Sequence, residues 1–151
     1  MRPRRAAWAA PAGRWGGNEI LDTGLDCAGL GYPVHGIYAI GANVTVRSNV
    51  VRGFQNSGVS LCARGAVVEG NAISVGPIGV SFAPYDASGT TTRIAYNRIT
   101  GIRAGADSPP PYGVVIYSES LYRNANPESF AIASNTIADA EAGIRVAGPP
   151  R

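Results

Sequence analysis

The chain has 151 residues, 45% of them hydrophobic and 15% charged, with 20 Gly, 11 Pro, two Cys and one His. That length sets one domain able to bury a core, and the Gly and Pro content suits a turn-rich all-β chain rather than a helical bundle. Cys27 and Cys62 cannot build a disulfide framework, a single His cannot make a zinc site, and the formal charge of +3 rests on Arg2, Arg4, Arg5 and Arg14. Without those four, nine Arg face ten acids, so no basic stripe for nucleic acid runs through the body of the chain.

Residues 1–17 read as a disordered leader. Arg2-Pro3-Arg4-Arg5 is basic, but Ala6 to Ala12 is short, broken by Pro11 and followed by Arg14, which is not the apolar core of an export signal. No stretch is long enough to span a membrane. From Asn18 onward a mark recurs five times, an Asn followed two places on by Ile or Val: Asn18, Asn49, Asn71, Asn97 and Asn135. Each is answered by a Gly that opens an apolar run, at Gly36, Gly58, Gly79, Gly113 and Gly143. The steps are 31, 22, 26 and 38 residues from Asn to Asn and 22, 21, 34 and 30 from Gly to Gly, so the unit is about 21 to 22 residues with insertions.

Each unit carries three short segments of period two. One precedes the Asn (Val44 to Ser48, Ala66 to Gly70, Arg93 to Tyr96, Phe130 to Ser134), one follows it (Val50 to Gly53, Ala72 to Val75, Arg98 to Thr100), and one follows the Gly. Three strands per unit predict an all-β, right-handed, single-stranded parallel β-helix of about five coils over residues 18–147, with a tail at 148–151. At a strand separation of about 4.8 Å, five coils make a rod on the order of 24 Å long. Stacking puts the five Asn in a column whose amides donate and accept in turn, an Asn ladder. Asn tolerates the left-handed conformation of a sharp bend, and the Gly column is expected to serve the next bend for the same reason.

On these repeats the chain resembles the right-handed parallel β-helix proteins of the pectate-lyase-like group, over roughly Asn18 to Ala147. The resemblance implies an extracellular or periplasmic location and work on polysaccharides, as lyases, hydrolases, epimerases, tailspikes or adhesins. Fold membership does not choose among these. Neither end reads as a cap, which points to a piece of a longer solenoid or to self-association through the uncapped ends.

Alternation sends Ile37, Val59, Val80, Val114 and Ile144 inward, so Tyr38, Ser60, Ser81, Val115 and Arg145 face out, followed by Ile40, Cys62, Ala83, Tyr117 and Ala147. Insertions on both edges of this sheet would make a groove fit for an extended polymer. Tyr38, Tyr85 and Tyr117 are its candidate sugar-stacking residues, with Ser60 and Ser81 on the floor and Arg145 to pair with uronate carboxylates. Hydrolysis of a glycosidic bond needs two facing carboxylates, and the predicted floor has none. The catalytic candidates are Asp86 on a wall, Arg145, and His35 as a base near neutral pH. Further acids stand at Asp22, Asp26, Asp107, Glu119, Asp139 and Glu141. No cofactor is expected, Ca²⁺ entering only if the chain is a lyase. The reading favours a noncatalytic carbohydrate-binding or structural module. Its alternatives are a polysaccharide lyase, epimerase or glycoside hydrolase acting on uronate-rich polysaccharide, and an adhesin or tailspike segment.

Overall fold

The structure, a computed structural model, describes residues 7–9, 14–23, 34–83, 90–104, 110–117 and 129–147. Its elements are strands in five three-strand turns and the start of a sixth. The first coil holds β1 (Ala7–Ala9), β2 (Arg14–Gly16) and β3 (Glu19–Thr23); the second β4 (Ile37–Ala42), β5 (Thr45–Arg47) and β6 (Val50–Phe54). The third holds β7 (Ser57–Arg64), β8 (Val67–Glu69) and β9 (Ala72–Gly76); the fourth β10 (Ile78–Phe82), β11 (Thr91–Ala95) and β12 (Arg98–Ile102). The fifth holds β13 (Tyr112–Tyr117), β14 (Ser129–Ala133) and β15 (Thr136–Ile137), and β16 (Ala142–Ala147) opens the next. Every third strand stacks in parallel, giving a Gly-led sheet β1-β4-β7-β10-β13-β16, a second sheet β2-β5-β8-β11-β14 before the Asn, and a third sheet β3-β6-β9-β12-β15 after it. The all-β parallel solenoid read from the repeats is borne out.

Two strands fall inside the segment expected to be a leader. β1 pairs with β4 and β2 with β5, and Trp15, in register with Val46, packs against the core. The stack therefore starts before Asn18. A basic, Ala-rich composition hid a strand whose one large apolar ring continues the core column.

The core is built from columns of register-matched apolar residues. Ile37, Val59, Val80 and Val114 form one and Ala39, Leu61, Phe82 and Ile116 the next, all 3% exposed or less. Val46, Val68 and Ile94 close the second sheet and Val51, Ile73 and Ile99 the third. Phe82 meets Phe130 edge to face, 4.7 Å between ring centres. Outside the second sheet, Glu69 takes Arg47 at 2.6 Å and Arg93 at 3.7 Å, an exposed cross-coil pairing of small worth.

The Asn ladder is continuous. Asn18, Asn49, Asn71 and Asn97 each donate Nδ2 to the Oδ1 of the next Asn, at 2.9, 3.0, 2.9 and 2.9 Å. The same Oδ1 accepts the backbone N–H of the preceding Asn, at 3.0 to 3.1 Å. The second Nδ2 hydrogen reaches back one coil, from Asn49 to Trp15 O, Asn71 to Val46 O, Asn97 to Val68 O and Asn135 to Ile94 O. Asn49, Asn71 and Asn97 are 1% exposed, so the ladder satisfies polar groups that would otherwise be stranded at a buried bend.

Two expectations about the bends are corrected. The left-handed residue is the one before each Asn: Gly17, Ser48, Gly70, Tyr96 and Ser134 have φ of 68°, 55°, 64°, 57° and 54°. The Asn itself is held by its ladder bonds. A second left-handed column lies four residues after each Asn, at Asp22, Gly53, Val75, Gly101 and Asp139. The Gly column that opens the Gly-led strands has no positive φ. Its Gly are there for close approach: a Cβ on Gly36 would lie 2.5 Å from Val51 Cγ1 and 2.6 Å from Gly58 O, and one on Gly79 would meet Ile99 Cγ2 and Gly113 O.

Candidate functional site

The outer face of the Gly-led sheet follows from the alternation that buries its inner columns. One outward column runs Ser57, Ile78, Tyr112, Ala142, with His35 at the same offset in the second coil. The next runs Tyr38, Ser60, Ser81, Val115, Arg145, and a third includes Ile40, Cys62 and Tyr117. The second and third columns stand in the order read from the sequence, whereas the first was not read there as part of this face.

The expected open floor is not. Ser60 is 7% exposed, Ser81 5%, and Val115, Ile78 and Ser57 are fully buried. Val115 joins Ile78 and Tyr112 in a small apolar cluster of its own, separate from the main core, with Tyr117 and Ala142 packed against it. Outwardness in a strand sets direction only, and burial depends on what packs over the face. Accessible surface is left at Tyr38, Ile40, Cys62, Ala83 and Tyr117, which are half-buried or exposed, and at exposed Arg145.

The residues gather at two places. In the second and third coils His35 stacks on Tyr38, 5.4 Å between ring centres and 20° between planes, and the Tyr38 hydroxyl lies 3.3 Å from Cys62 Sγ. Burial lowers the His35 pKa from 6.5 to about 4, and its Nδ1 is buried without a hydrogen-bond partner. The imidazole is therefore neutral and weakly basic, which corrects the expectation of a base poised near neutral pH. Burial also pushes the Cys62 thiol up, partly offset by the Tyr38 bond, and Cys62 is a free thiol. In the fifth and sixth coils the Arg145 guanidinium lies over the Tyr112 ring, 5.2 Å from its centre, and Tyr117 is raised by burial and then by neighbouring Tyr112. Tyr38 and Arg145 share a column four strands apart, roughly 19 Å at about 4.8 Å per step.

Asp86 and Tyr85 lie outside the described residues, as do Asp26, Cys27, Asp107 and Glu119. Of the acids that are described, Asp139 turns to structural work: its Oδ2 accepts the Gly101 N–H at 3.2 Å, one bend above its own. Asp22 occupies the same left-handed column at the other end of the stack. Among the described residues no three of His, Cys, Asp and Glu converge to hold a metal ion. No helix among them is long and apolar enough to cross a membrane. The His35–Tyr38 and Tyr38–Cys62 contacts were missed in the sequence. The signal was present in the repeat register, since Cys62 stands one coil on and two places beyond Ser60, the residue opposite Tyr38. Comparison of the chain with family models, curated proteins and solved structures finds no match.

Proposed function

We propose that this chain is a noncatalytic β-helix module that binds an extended polysaccharide along the outer face of its Gly-led sheet. The observation that carries the reading is that one face presents half-buried Tyr38 and Tyr117 and exposed Arg145, while no described outward position on it is an acid. A ring held half-buried on a rigid sheet offers its face to a sugar at little entropic cost. Arg145 adds a bidentate donor for a uronate carboxylate. A glycoside hydrolase would need a carboxylate pair, and His35 at a pKa of about 4 is a poor general base at neutral pH.

The test is binding of polygalacturonate and alginate by calorimetry, with product analysis in parallel. Tyr38→Ala and Tyr117→Ala should each weaken binding by about threefold to tenfold, the equivalent of roughly 0.5–1.5 kcal/mol per lost stacking contact. Arg145→Gln should weaken it most at low salt. Absence of binding to every uronate polymer would refute the carbohydrate reading. New unsaturated or reducing ends would instead make the protein an enzyme, with Asp86 and a Ca²⁺ requirement the next things to examine.

A further inference from the structure

The two ends of the stack are chemically complementary. At every rung but the last, an Asn spends its backbone N–H and one Nδ2 hydrogen on the Oδ1 of the next Asn. Among the described residues no rung follows Asn135: its Nδ2 donates back to Ile94 O at 2.8 Å, and the two donors that earlier rungs send forward meet no Asn among those residues. At the other end Asn18 donates to Asn49 and, at 3.3 Å, to Gly16 O, while its own Oδ1 receives no bond from any described residue. Among the described residues one end lacks an acceptor and the other lacks donors.

The strand edges match in the same way. β14, β15 and β16 are edge strands of the three sheets, as are β2, β3 and β1 at the opposite end. Ile144 and Val146 stand in the columns of Val114 and Ile116, which are 0% and 3% exposed, yet are themselves 52% and 63% exposed. Those columns begin at Ala7 and Ala9 of β1, paired with Ile37 and Ala39.

We infer that the protein self-associates head to tail, the last coil of one copy seating on the first coil of the next so that the Asn ladder runs through the junction. β14 pairs with the next copy's β2, β15 with its β3, and Asn135 donates to the Oδ1 of its Asn18. β16 takes the place that the three-residue β1 holds beside β4, in register with Ile37 and Ala39, so the exposed Ile144 and Val146 side chains are taken out of water. Because the contact is heterologous, growth does not close at two copies.

The probe is the native chain alone, followed by sedimentation velocity and light scattering over a wide range of protein concentration. The expected mass rises with concentration through successive multiples of the chain mass. Val146→Asp, a substitution at an exposed side chain that leaves the fold intact by circular dichroism, should be monomeric. Added in small amounts to native protein it should shorten the oligomers, because its first coil still caps a growing end. Gly143→Ala should also weaken association. Its Cβ has nothing within 4 Å in the single chain, but in the stack it faces the next copy's Gly36 as a Cβ on Gly113 faces Gly143 O at 2.6 Å. A chain that stays monomeric at all concentrations overturns the inference. So does a species that stops at a dimer, or oligomers indifferent to Val146→Asp.

Discussion

The Gly column gives the sharpest test of how the coils are held together, because one substitution has opposite consequences along it. In Gly79→Ala the new Cβ meets Ile99 Cγ2 and lies 2.5 Å from Gly113 O. Neither neighbour can step aside. Ile99 is fully buried, and the Gly113 carbonyl belongs to the backbone of a paired strand. Overpacking costs about 1–3 kcal/mol when side chains can shift, so a clash with backbone belongs at about 3 kcal/mol. Gly143→Ala places its Cβ in open space at a φ that is not left-handed, so it gains about 0.4–1 kcal/mol from the lower entropy of the unfolded chain. At roughly 2–4 °C per kcal/mol for a domain of this size, Tm should fall by about 6–12 °C in the first variant and rise by about 1–4 °C in the second. Thermal melts by far-UV circular dichroism on dilute protein, checked by urea midpoints, read both. Equal tolerance at the two positions would refute close approach as the reason for the Gly column, and equal damage would return it to backbone conformation.

Three further outcomes follow from particular side chains. Asn71→Leu strands the Asn49 N–H, an Asn49 Nδ2 hydrogen and Val46 O in a site 1% exposed, and should cost about 3–5 kcal/mol by urea denaturation, whereas Asn18→Ala at the exposed first rung should cost about 1 kcal/mol or less. Val75 is a β-branched residue at φ 61° with 49% of its surface exposed, so Val75→Gly should stabilise by about 1 kcal/mol, seen as a higher urea midpoint at unchanged slope. His35 has its folded pKa lowered from 6.5 to about 4, so the unfolded chain binds a proton that the folded chain excludes. Its contribution is fully present above pH 6.5, is lost as pH falls through that window, and is gone below about 4. Because the chain has one His, ring-proton NMR should show a single titration with a midpoint near 4, and His35→Phe should flatten stability between pH 6.5 and 4.

Much of the architecture was legible because a solenoid writes its tertiary structure into a local period. Asn and Gly recurring in fixed order located every bend of the ladder and every strand of the Gly-led sheet from β4 onward. Alternation around Ile37, Val59, Val80 and Val114 separated inner from outer residues correctly. Trp15 was overlooked because two isolated rings, Trp8 and Trp15, among Arg, Ala and Gly make no alternating period. The candidate site was less legible. Tyr38, Tyr117 and Arg145 do point outward from the Gly-led sheet, but Ser60, Ser81 and Val115 were read as open when they are buried, and His35 was read at its solution pKa.

The sequence by itself determined the number of strands per turn, the parallel stacking, the ladder and the inward set, since each depends on residue order within one coil and its repetition in the next. Tertiary structure alone decided why Gly stands at 36, 58, 79 and 113, which residue takes the left-handed φ beside each Asn, and how far His35, Ser60 and Ser81 are shut from water. Those properties belong to contacts between coils and to what packs over the sheet, about 5 Å away in space and twenty or more residues away along the chain.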